Sequence, residues 1–347
     1  MPIKRSLGVA SLMITLVLAG CAGGTSTTDQ PNAEGNLSAN MMGGQGSFAY
    51  APTEMLQPSG IAKENGLDLT YEGRDSNSAN MLAALISRDV DFVVPSPQAT
   101  IDSIQQGADL VVVGVPVSLN ISTMVLRSDV AAASRVGTSS PAVDKLQALR
   151  GLTIATSPSG SGNNAVLRAL LSEAGLDPEK DVTIVGVNDK AAIVAGINSD
   201  TFEGAFFTNG ILEQNIVNGS AVKWISTSSG ETDDLLRGEM PGLFIVTRKD
   251  VVENSPGVVD KTYSVMNTML AQIANDPTTF GNEVYQKSFT ATDKAVFDLA
   301  WEESVAAYPA TAGLSRASFD ALIALQGGAD KYDKVDYDTI VLDAAKS

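Results

Sequence analysis

The residues best suited to binding chemistry in this chain are small and polar, and they follow the ends of predicted β-strands. The clearest group is SPSGSGN (157–163), between a predicted strand and a predicted helix. Hydroxyl and amide groups make hydrogen bonds, glycine lets a backbone approach a bound molecule closely, and the first N–H groups of a helix lack partners within it. Such a loop can hold a small solute, although the same residues also cap helices and form turns.

Similar groups follow the other predicted strands. Ligands of open α/β sheets bind at the carboxyl ends of the strands, so we expect these loops to line one cleft. The predicted contacts are Ser47, Phe48, Tyr50, Ser96, Gln98, Asn120, Ser122, Ser159, Gly160, Ser161, Gly162, Asn163, Thr208 and Asn209. These loops contain no lysine or arginine. An anion would therefore be held by helix N-termini, hydroxyls and amides, or else the ligand is neutral or zwitterionic.

Catalytic and metal chemistry is restricted by what the sequence lacks. The chain has no histidine and a single cysteine, Cys21. Nucleophile systems that use Ser-His-Asp or Cys-His are therefore excluded, as are disulfides within the chain and cysteine-rich zinc sites. We expect no metal and no cofactor. Enzymes that use paired carboxylates or a lysine are not excluded by these absences.

A partial dinucleotide-binding pattern lies in the loop at 157–163, which we call the glycine loop. Gly160, Gly162 and Ala165 match G-x-G-x-x-A, and Asp189 follows the next predicted strand. However, residues 156–159 separate the apolar strand from Gly160, where the motif requires a tight turn. No Gly-Lys-Ser/Thr follows either, which excludes a phosphate-binding loop of the Walker type.

The charge of the chain is strongly acidic. It has 23 lysines and arginines against 40 aspartates and glutamates, a net charge of −17. Such a surface repels phosphate backbones, and aromatic residues make up only 5% of the chain. We therefore expect no nucleic-acid binding.

The N-terminus has the pattern of an export signal. Lys4 and Arg5 precede an apolar stretch, residues 7–18, that is too short to span a bilayer. Leu18-Ala19-Gly20-Cys21 resembles a bacterial lipoprotein lipobox, in which the cysteine thiol receives a diacylglycerol and cleavage after residue 20 leaves Cys21 as the first residue. Residues 21–35 are small and polar, as in a flexible leash. The alternatives are an ordinary secretory peptide or an uncleaved anchor.

Strands and helices alternate along the rest of the chain, which indicates α/β units. Strands are predicted at 36–41, 67–73, 90–95 and 109–115, and again at 152–155, 181–187 and 202–207, while 52–65 reads as one helix. The repeated order predicts two similar lobes, lobe I from 36–121 with 243–347 and lobe II from 122–242. The β-rich stretches STMVLR (122–127) and GLFIVTR (242–248) are the candidate hinge strands.

Three stretches resemble the substrate-binding proteins of nitrate, sulfonate and taurine transporters. They are PSGIAKENGLDLTYE (58–72), LRGLTIATSPSGSGNNAVLRALLSEAGLDPEKDVTIVGV (149–187) and LSRASFDALIALQGGADKYDKVDYDTIVLD (314–343). The resemblance implies the two-lobed type II periplasmic-binding fold, with mainly parallel sheets flanked by helices. One departure is MMGGQGSFAYAPTEM (41–55), which is richer in glycine and methionine than the plain strand usual in the family.

The resemblance implies an extracytoplasmic, lipid-anchored solute receptor that delivers its ligand to the permease and ATPase of an ABC importer. We expect a monomer without enzymatic activity, held by lipidated Cys21 at the outer face of the cell membrane or in the periplasm. Candidate solutes are sulfonate, nitrate, bicarbonate, pyrimidine and aromatic carboxylate. The alternatives are an extracytoplasmic enzyme on the same fold, and an adhesin or sensor in which binding in the cleft produces a signal and does not deliver the solute.

Overall fold

The computed structural model describes residues 29–74, 77–159, 161–236 and 240–347. The predicted signal peptide, the lipidation site Cys21 and the predicted contact Gly160 lie outside these ranges. Within them, no helix is both long and apolar enough to cross a membrane.

In the described residues, ten strands form two sheets of five. The strands are β1 (Leu37–Gly44), β2 (Leu67–Arg74), β3 (Phe92–Val93), β4 (Leu110–Val117), β5 (Ser122–Arg127), β6 (Thr153–Thr156), β7 (Thr183–Gly186), β8 (Gly204–Thr208), β9 (Ala221–Ser226) and β10 (Leu243–Arg248). The sheet of lobe I has the order β2-β1-β3-β10-β4, and that of lobe II has the order β7-β6-β8-β5-β9.

The two sheets are wound in the same way. In lobe I, β1 pairs in parallel with β2 and β3, while β10 runs antiparallel between β3 and β4. In lobe II, β6 pairs in parallel with β7 and β8, while β5 runs antiparallel between β8 and β9. The chain passes between lobes twice, at 118–121 and at 227–242. The predicted α/β class and two-lobed architecture are confirmed.

Helices cover the sheets. They are α1 (Ala51–Glu54), α2 (Ile61–Glu64), α3 (Ser78–Ile86), α4 (Pro97–Gln105), α5 (Ser128–Ala133), α6 (Ala142–Gln147), α7 (Gly162–Glu173), α8 (Lys190–Asn198), α9 (Glu213–Val217), α10 (Asp233–Leu236), α11 (Lys249–Asn254), α12 (Pro256–Asn275), α13 (Pro277–Val284), α14 (Lys294–Val305), α15 (Arg316–Leu325) and α16 (Tyr337–Ile340). Short 3-10 turns lie at Phe48–Tyr50, Thr227–Ser229 and Asp343–Ala345, and a π-helical turn at Tyr285–Phe289.

The core of lobe I is built on β4 and α12. All eight residues of β4 are buried, as expected for a strand covered on both faces. The long helix α12 packs on β1, β2 and β4, and it buries Met266, Met269 and Leu270. Each such side chain contributes about 1.5–3 kcal/mol when it is fully buried. This core fixes the ends of the strands, and therefore the loops that follow them.

The predicted helix at 52–65 is wrong in one respect, because the structure has two short helices, α1 and α2, with a turn between them. Pro58 lies in that turn and lacks a backbone N–H, and Gly60 has a φ of 85°. A helix interior accommodates neither feature. The first strand also extends to Gly44, three residues beyond the predicted 36–41.

Candidate functional site

The loops after corresponding strands of the two sheets lie at the junction of the lobes. In lobe II these loops follow β6, β8 and β9, and β5 begins at the same edge because it runs antiparallel. In lobe I they follow β1, β3 and β4. This is the edge where open α/β sheets bind ligands.

Three predicted contacts come together in lobe II. Ser122 Oγ donates to Asn163 Oδ1 at 3.1 Å, and Asn163 Nδ2 donates to Thr208 Oγ1 at 3.1 Å. Ser122 begins β5, Asn163 lies in the first turn of α7, and Thr208 ends β8. The amide of Asn163 therefore links two strands to the N-terminus of a twelve-residue helix. We call Ser122, Asn163 and Thr208 the polar triad.

The glycine loop lies beside the polar triad. Ser161 caps α7, since its Oγ accepts a hydrogen bond from Asn164 N at 3.3 Å. Gly162 is the first residue of the helix, and a Cβ built on it meets no atom within 4 Å. Ser159 is exposed. The loop thus borders open space, and the N-terminus of α7 carries a partial positive charge that suits an electron-rich group.

Asn120 and Ser122 form part of the hinge. Thr227, which directly follows β9, donates from its Oγ1 to Asn120 O at 2.5 Å and accepts from Ser122 N at 3.0 Å. These contacts join the two segments that cross between the lobes. The sequence analysis missed Thr227, although the rule that located the other loops also applies to the residue after β9.

Asn209 is buried and connects the lobes. Its Oδ1 accepts from Thr123 Oγ1 at 2.8 Å, and its Nδ2 donates to Ser304 Oγ on α14 at 3.2 Å. Nearby, Lys223 of β9 forms an ion pair with Glu303 of α14. Helix α14 therefore contacts lobe II as well as the core of lobe I. The amide of Asn209 has its main partners within the protein.

In lobe I, Ser96 and Gln98 are engaged in local structure. Ser96 caps α4 by accepting from Ala99 N at 3.3 Å, and its own N–H donates to Ser78 Oγ at 2.9 Å. Gln98 Nε2 donates to Asp102 Oδ2 at 2.7 Å and to Tyr332 Oη at 3.0 Å. Gln98 Oε1 is buried and has no hydrogen-bond partner in the described part of the chain. Their role as ligand contacts stays a prediction.

The loop after β1 points its aromatic side chains inward. Phe48 is 1% exposed and stacks on Phe289, with ring centroids 4.7 Å apart. Tyr50 is also buried, and its ring covers Gly44, where a Cβ would lie 2.5 Å from Tyr50 Cε2. Ser47 is half-buried and has no capping hydrogen bond. Of the three predicted contacts in this loop, Ser47 is the most accessible to a ligand.

Lobe II buries two ionisable side chains among the described residues, Lys145 and Glu213. Lys145 is 3% exposed and pairs with Glu231, whose Oε1 accepts from Ser226 N at 2.6 Å. Glu213 begins α9, and its Oε2 accepts from Gly210 N at 2.7 Å, while its Oε1 has no hydrogen-bond partner among the residues that the structure describes. Burial raises the pKa of Glu213 to about 7.

Metal binding finds no support in the part of the chain that the structure describes. No group of three or more histidine, cysteine, aspartate or glutamate side chains there is arranged to hold an ion. What the site offers is hydroxyl and amide groups at the N-terminus of α7, between two sheets. This chemistry is suited to binding a small polar molecule through hydrogen bonds.

Comparison with known proteins relates this geometry to a family. The alkanesulfonate-binding protein SsuA of Xanthomonas axonopodis pv. citri, solved with bound MOPS, superimposes with a TM-score of 0.64 at 16% identity, over 89% of this chain and 98% of its own. The periplasmic aliphatic sulphonate binding protein SsuA of Escherichia coli superimposes with a TM-score of 0.63 at 15% identity, over 85% of this chain and 90% of its own. The periplasmic nitrate-binding protein NrtA of Synechocystis PCC 6803 superimposes with a TM-score of 0.54 at 14% identity, over 77% of this chain and 69% of its own.

At these identities the solved structures establish the fold, which is that of the periplasmic binding proteins. No curated protein sequence matches the chain. The sequence pattern of the NMT1-like family matches residues 42–286, which is more than half of the chain and includes the polar triad and the glycine loop. The chain therefore belongs to the NMT1-like family.

Proposed function

We propose that this protein is a lipid-anchored receptor that captures a small solute between its two lobes and delivers it to the permease of an ABC importer. The observation that carries the proposal is the polar triad at the N-terminus of α7, placed where two similarly wound sheets meet. Membership of the NMT1-like family and the shared fold with sulfonate- and nitrate-binding proteins support it.

In lobe II, capture depends on hydrogen bonds rather than on a paired charge. Asn163 supplies an amide that already bridges β5 and β8, so its position is fixed before a solute arrives. A preorganised group loses little conformational freedom on binding, which favours affinity. The residues of the glycine loop supply hydroxyls and backbone N–H groups beside it.

Movement of the lobes would expose or enclose the bound solute. The segments 118–121 and 227–242 join the lobes, and Thr227 links them through its bonds to Asn120 and Ser122. Rotation about two such segments is the usual hinge motion of two-lobed receptors. The closed and loaded form would then be the one that the permease recognises.

Two experiments test the proposal together. A thermal-shift screen with sulfonates, nitrate, bicarbonate, pyrimidines and aromatic carboxylates should identify a stabilising solute, since a ligand at 100 times its Kd stabilises by about 2.7 kcal/mol. Uptake of that solute by the source cells should fall when the gene is deleted and return with a plasmid copy. Unchanged uptake would indicate a sensor or adhesin and contradict a transport receptor. Conversion of the solute by the purified protein would indicate an enzyme.

A further inference from the structure

The glycine-rich end of β1 has a structural counterpart in β2. Gly43 lies opposite Gly73 in the parallel register. A Cβ on Gly43 would lie 2.2 Å from Tyr71 Oη, and one on Gly73 would lie 2.6 Å from Gln45 Oε1. Real Cβ atoms do not come so close, so the absence of side chains at both glycines lets Tyr71 and Gln45 fold over the strand ends.

A cavity of about 370 Å³ lies beside these glycines, lined by Gln45, Glu54, Gln57, Pro58, Tyr71 and Gly73. It occupies the carboxyl ends of β1 and β2, the ligand-binding edge of lobe I. Gln45 is three residues before Phe48 in the chain. The ring of Phe48 packs against Gly210 of lobe II, where an added Cβ would collide with it. The cavity is lined by residues of lobe I, and Gln45 connects it along the chain to Phe48 at the junction of the lobes.

The wall of the cavity carries unused hydrogen-bonding groups. Gln57 Oε1 accepts from Tyr71 N at 2.9 Å, which leaves the amide N–H groups of Gln57 without a partner among the described residues. Gln45 and Gln57 are both exposed, so these amide groups face solvent at the mouth of the cavity and are accessible to a ligand. Tyr71 Oη donates to Gly44 O at 2.7 Å and keeps its own acceptor capacity.

Glu54 is the one charged residue in the lining. Its Oε2 accepts from Gly46 N at 3.0 Å and its Oε1 accepts from Ser288 Oγ at 2.7 Å. Each carboxylate oxygen can accept another hydrogen bond. The nearby cation Arg74, at the end of β2, already pairs with Glu72 at 2.7 Å. Among the lining residues that the structure describes, Glu54 therefore contributes a negative charge and none contributes a positive one.

We infer that this cavity binds the part of the solute that carries N–H groups, so that the solute is neutral or cationic and not a simple oxyanion. The inference rests on the proposed function, because the cavity is taken as the lobe I portion of the solute site. N–H groups of the solute would donate to Glu54 and to Gln45 Oε1, and Gln57 would donate to an acceptor beside them. A nitrate or sulfonate group would meet the carboxylate of Glu54 and be repelled.

Solution NMR of the whole protein tests this inference through the side-chain amides of Gln45 and Gln57. The signals are assigned from the Gln45→Glu and Gln57→Glu variants. The probes are cytosine, which is neutral, benzamidine, which is cationic, and the oxyanions ethanesulfonate and nitrate, each at about 10 mM so that millimolar affinities are seen. Cytosine or benzamidine should shift both amide signals, and neither oxyanion should. Shifts caused by an oxyanion, or by none of the four probes, would overturn the inference.

A charge variant sharpens the comparison. Gln57→Glu keeps the acceptor for Tyr71 N and adds a negative charge to the cavity, so benzamidine should bind about fivefold more tightly. Gln214→Glu, an exposed residue of α9 in lobe II, makes the same change at a distance and should leave the affinity unchanged. Equal gains in both variants would overturn the inference.

The NMR spectra also separate this inference from the proposed function. An oxyanion that shifts the side-chain amide of Asn163, but not those of Gln45 and Gln57, would refute the assignment of the solute class. The receptor function would stand in that case, because a solute would still occupy the polar triad.

Discussion

At the scale of single residues, Gly162 is the most direct probe of the solute site. It begins α7, and a Cβ there meets no atom within 4 Å. In Gly162→Val, the valine side chain should extend into the space that a solute would occupy, without colliding with other protein atoms. We expect affinity to fall more than tenfold, about 1.4 kcal/mol, with little change in the melting temperature. Calorimetric titration and a melting curve on the same sample measure both quantities.

A second glycine supplies the control. A Cβ added to Gly137 in lobe II would also meet no atom within 4 Å, and the φ of Gly137 is not in the left-handed region. Gly137→Val should leave affinity and melting temperature unchanged. Full affinity in a folded Gly162→Val protein would move the solute site away from the N-terminus of α7.

Glu213 gives a prediction for pH. Its pKa is raised to about 7 from an ordinary 4.5, chiefly by burial and in small part by the charge of Glu303, although backbone N–H groups oppose the shift. The folded protein therefore keeps this proton up to about pH 7, while the unfolded chain loses it near 4.5. The stability that the proton provides is complete below pH 4.5 and is lost as pH rises through 7, a loss on the order of 3 kcal/mol.

The Glu213→Gln variant removes this titration and keeps an oxygen that can accept from Gly210 N. Between pH 5 and pH 8, its free energy of unfolding should therefore fall less than that of the wild type. Urea titrations at the two pH values make the comparison, with the exposed Glu253→Gln as the control. Equal pH slopes in the wild type and Glu213→Gln would show that this carboxyl is ionised in the folded protein.

Residue types alone could locate the loops but not the direction of their side chains. The rule that loops follow strand ends placed Ser122, Asn163 and Thr208 in one cleft, and the structure brings them within hydrogen-bond distance of one another. The same rule selected Phe48 and Tyr50, which are buried. Their inward direction depends on the space over the glycines of β1 and on the aromatic residues of distant helices, which no local pattern reveals.

At the scale of elements, α14 connects the lobes. Ser304 Oγ accepts from Asn209 Nδ2 at 3.2 Å, and both residues are buried. Ser304→Ala would leave a buried amide N–H without its partner, which costs about 1–3 kcal/mol. We expect the free energy of unfolding in urea to fall by that amount. The exposed Ser264→Ala on α12 is the matched control, and an equally small effect in both variants would contradict a connecting role for α14.

The order of the elements was predictable, whereas some of their boundaries were not. Apolar runs bounded by turn residues marked the strands, and the stretch 122–127 coincides with β5. That strand lies within the sheet of lobe II, and the crossing between the lobes precedes it, so its role as a hinge strand stays a prediction. Within the predicted strand at 90–95, only Phe92 and Val93 form the regular strand β3, although Asp91, Val94 and Pro95 also make backbone hydrogen bonds to the neighbouring segments. Pairing length depends on the partner strands, which the local sequence does not contain.

At the scale of the whole molecule, the two-lobed architecture followed from the repeated alternation of strands and helices. Short connections between parallel strands restrict the topology strongly, so two similar successions predict two similar sheets. The contact of α14 with lobe II was not predictable, because it joins residues about 80 to 95 positions apart in the chain. Contacts over such a separation leave no periodic signal in the sequence.

The proposed lipid anchoring also concerns the whole molecule. If the stretch Leu18-Ala19-Gly20-Cys21 is a lipobox, Cys21→Ser removes the thiol that receives the lipid. We expect the variant to leave the membrane fraction of cells, or to keep its signal peptide. Fractionation and mass spectrometry measure the two outcomes, and Ser26→Ala in the leash is the control. An unmodified Cys21 in the mature wild-type protein would contradict lipid anchoring.

The measurement that tests the central claim most directly is equilibrium dialysis of the purified protein against a small-molecule extract of the source medium, followed by mass spectrometry. The receptor account predicts that a solute is enriched to about one molecule per chain and recovered with its mass unchanged. It further predicts that Gly162→Val loses this enrichment while Gly137→Val keeps it. A protein that enriches no solute, or one that returns a solute with altered mass, would contradict the account.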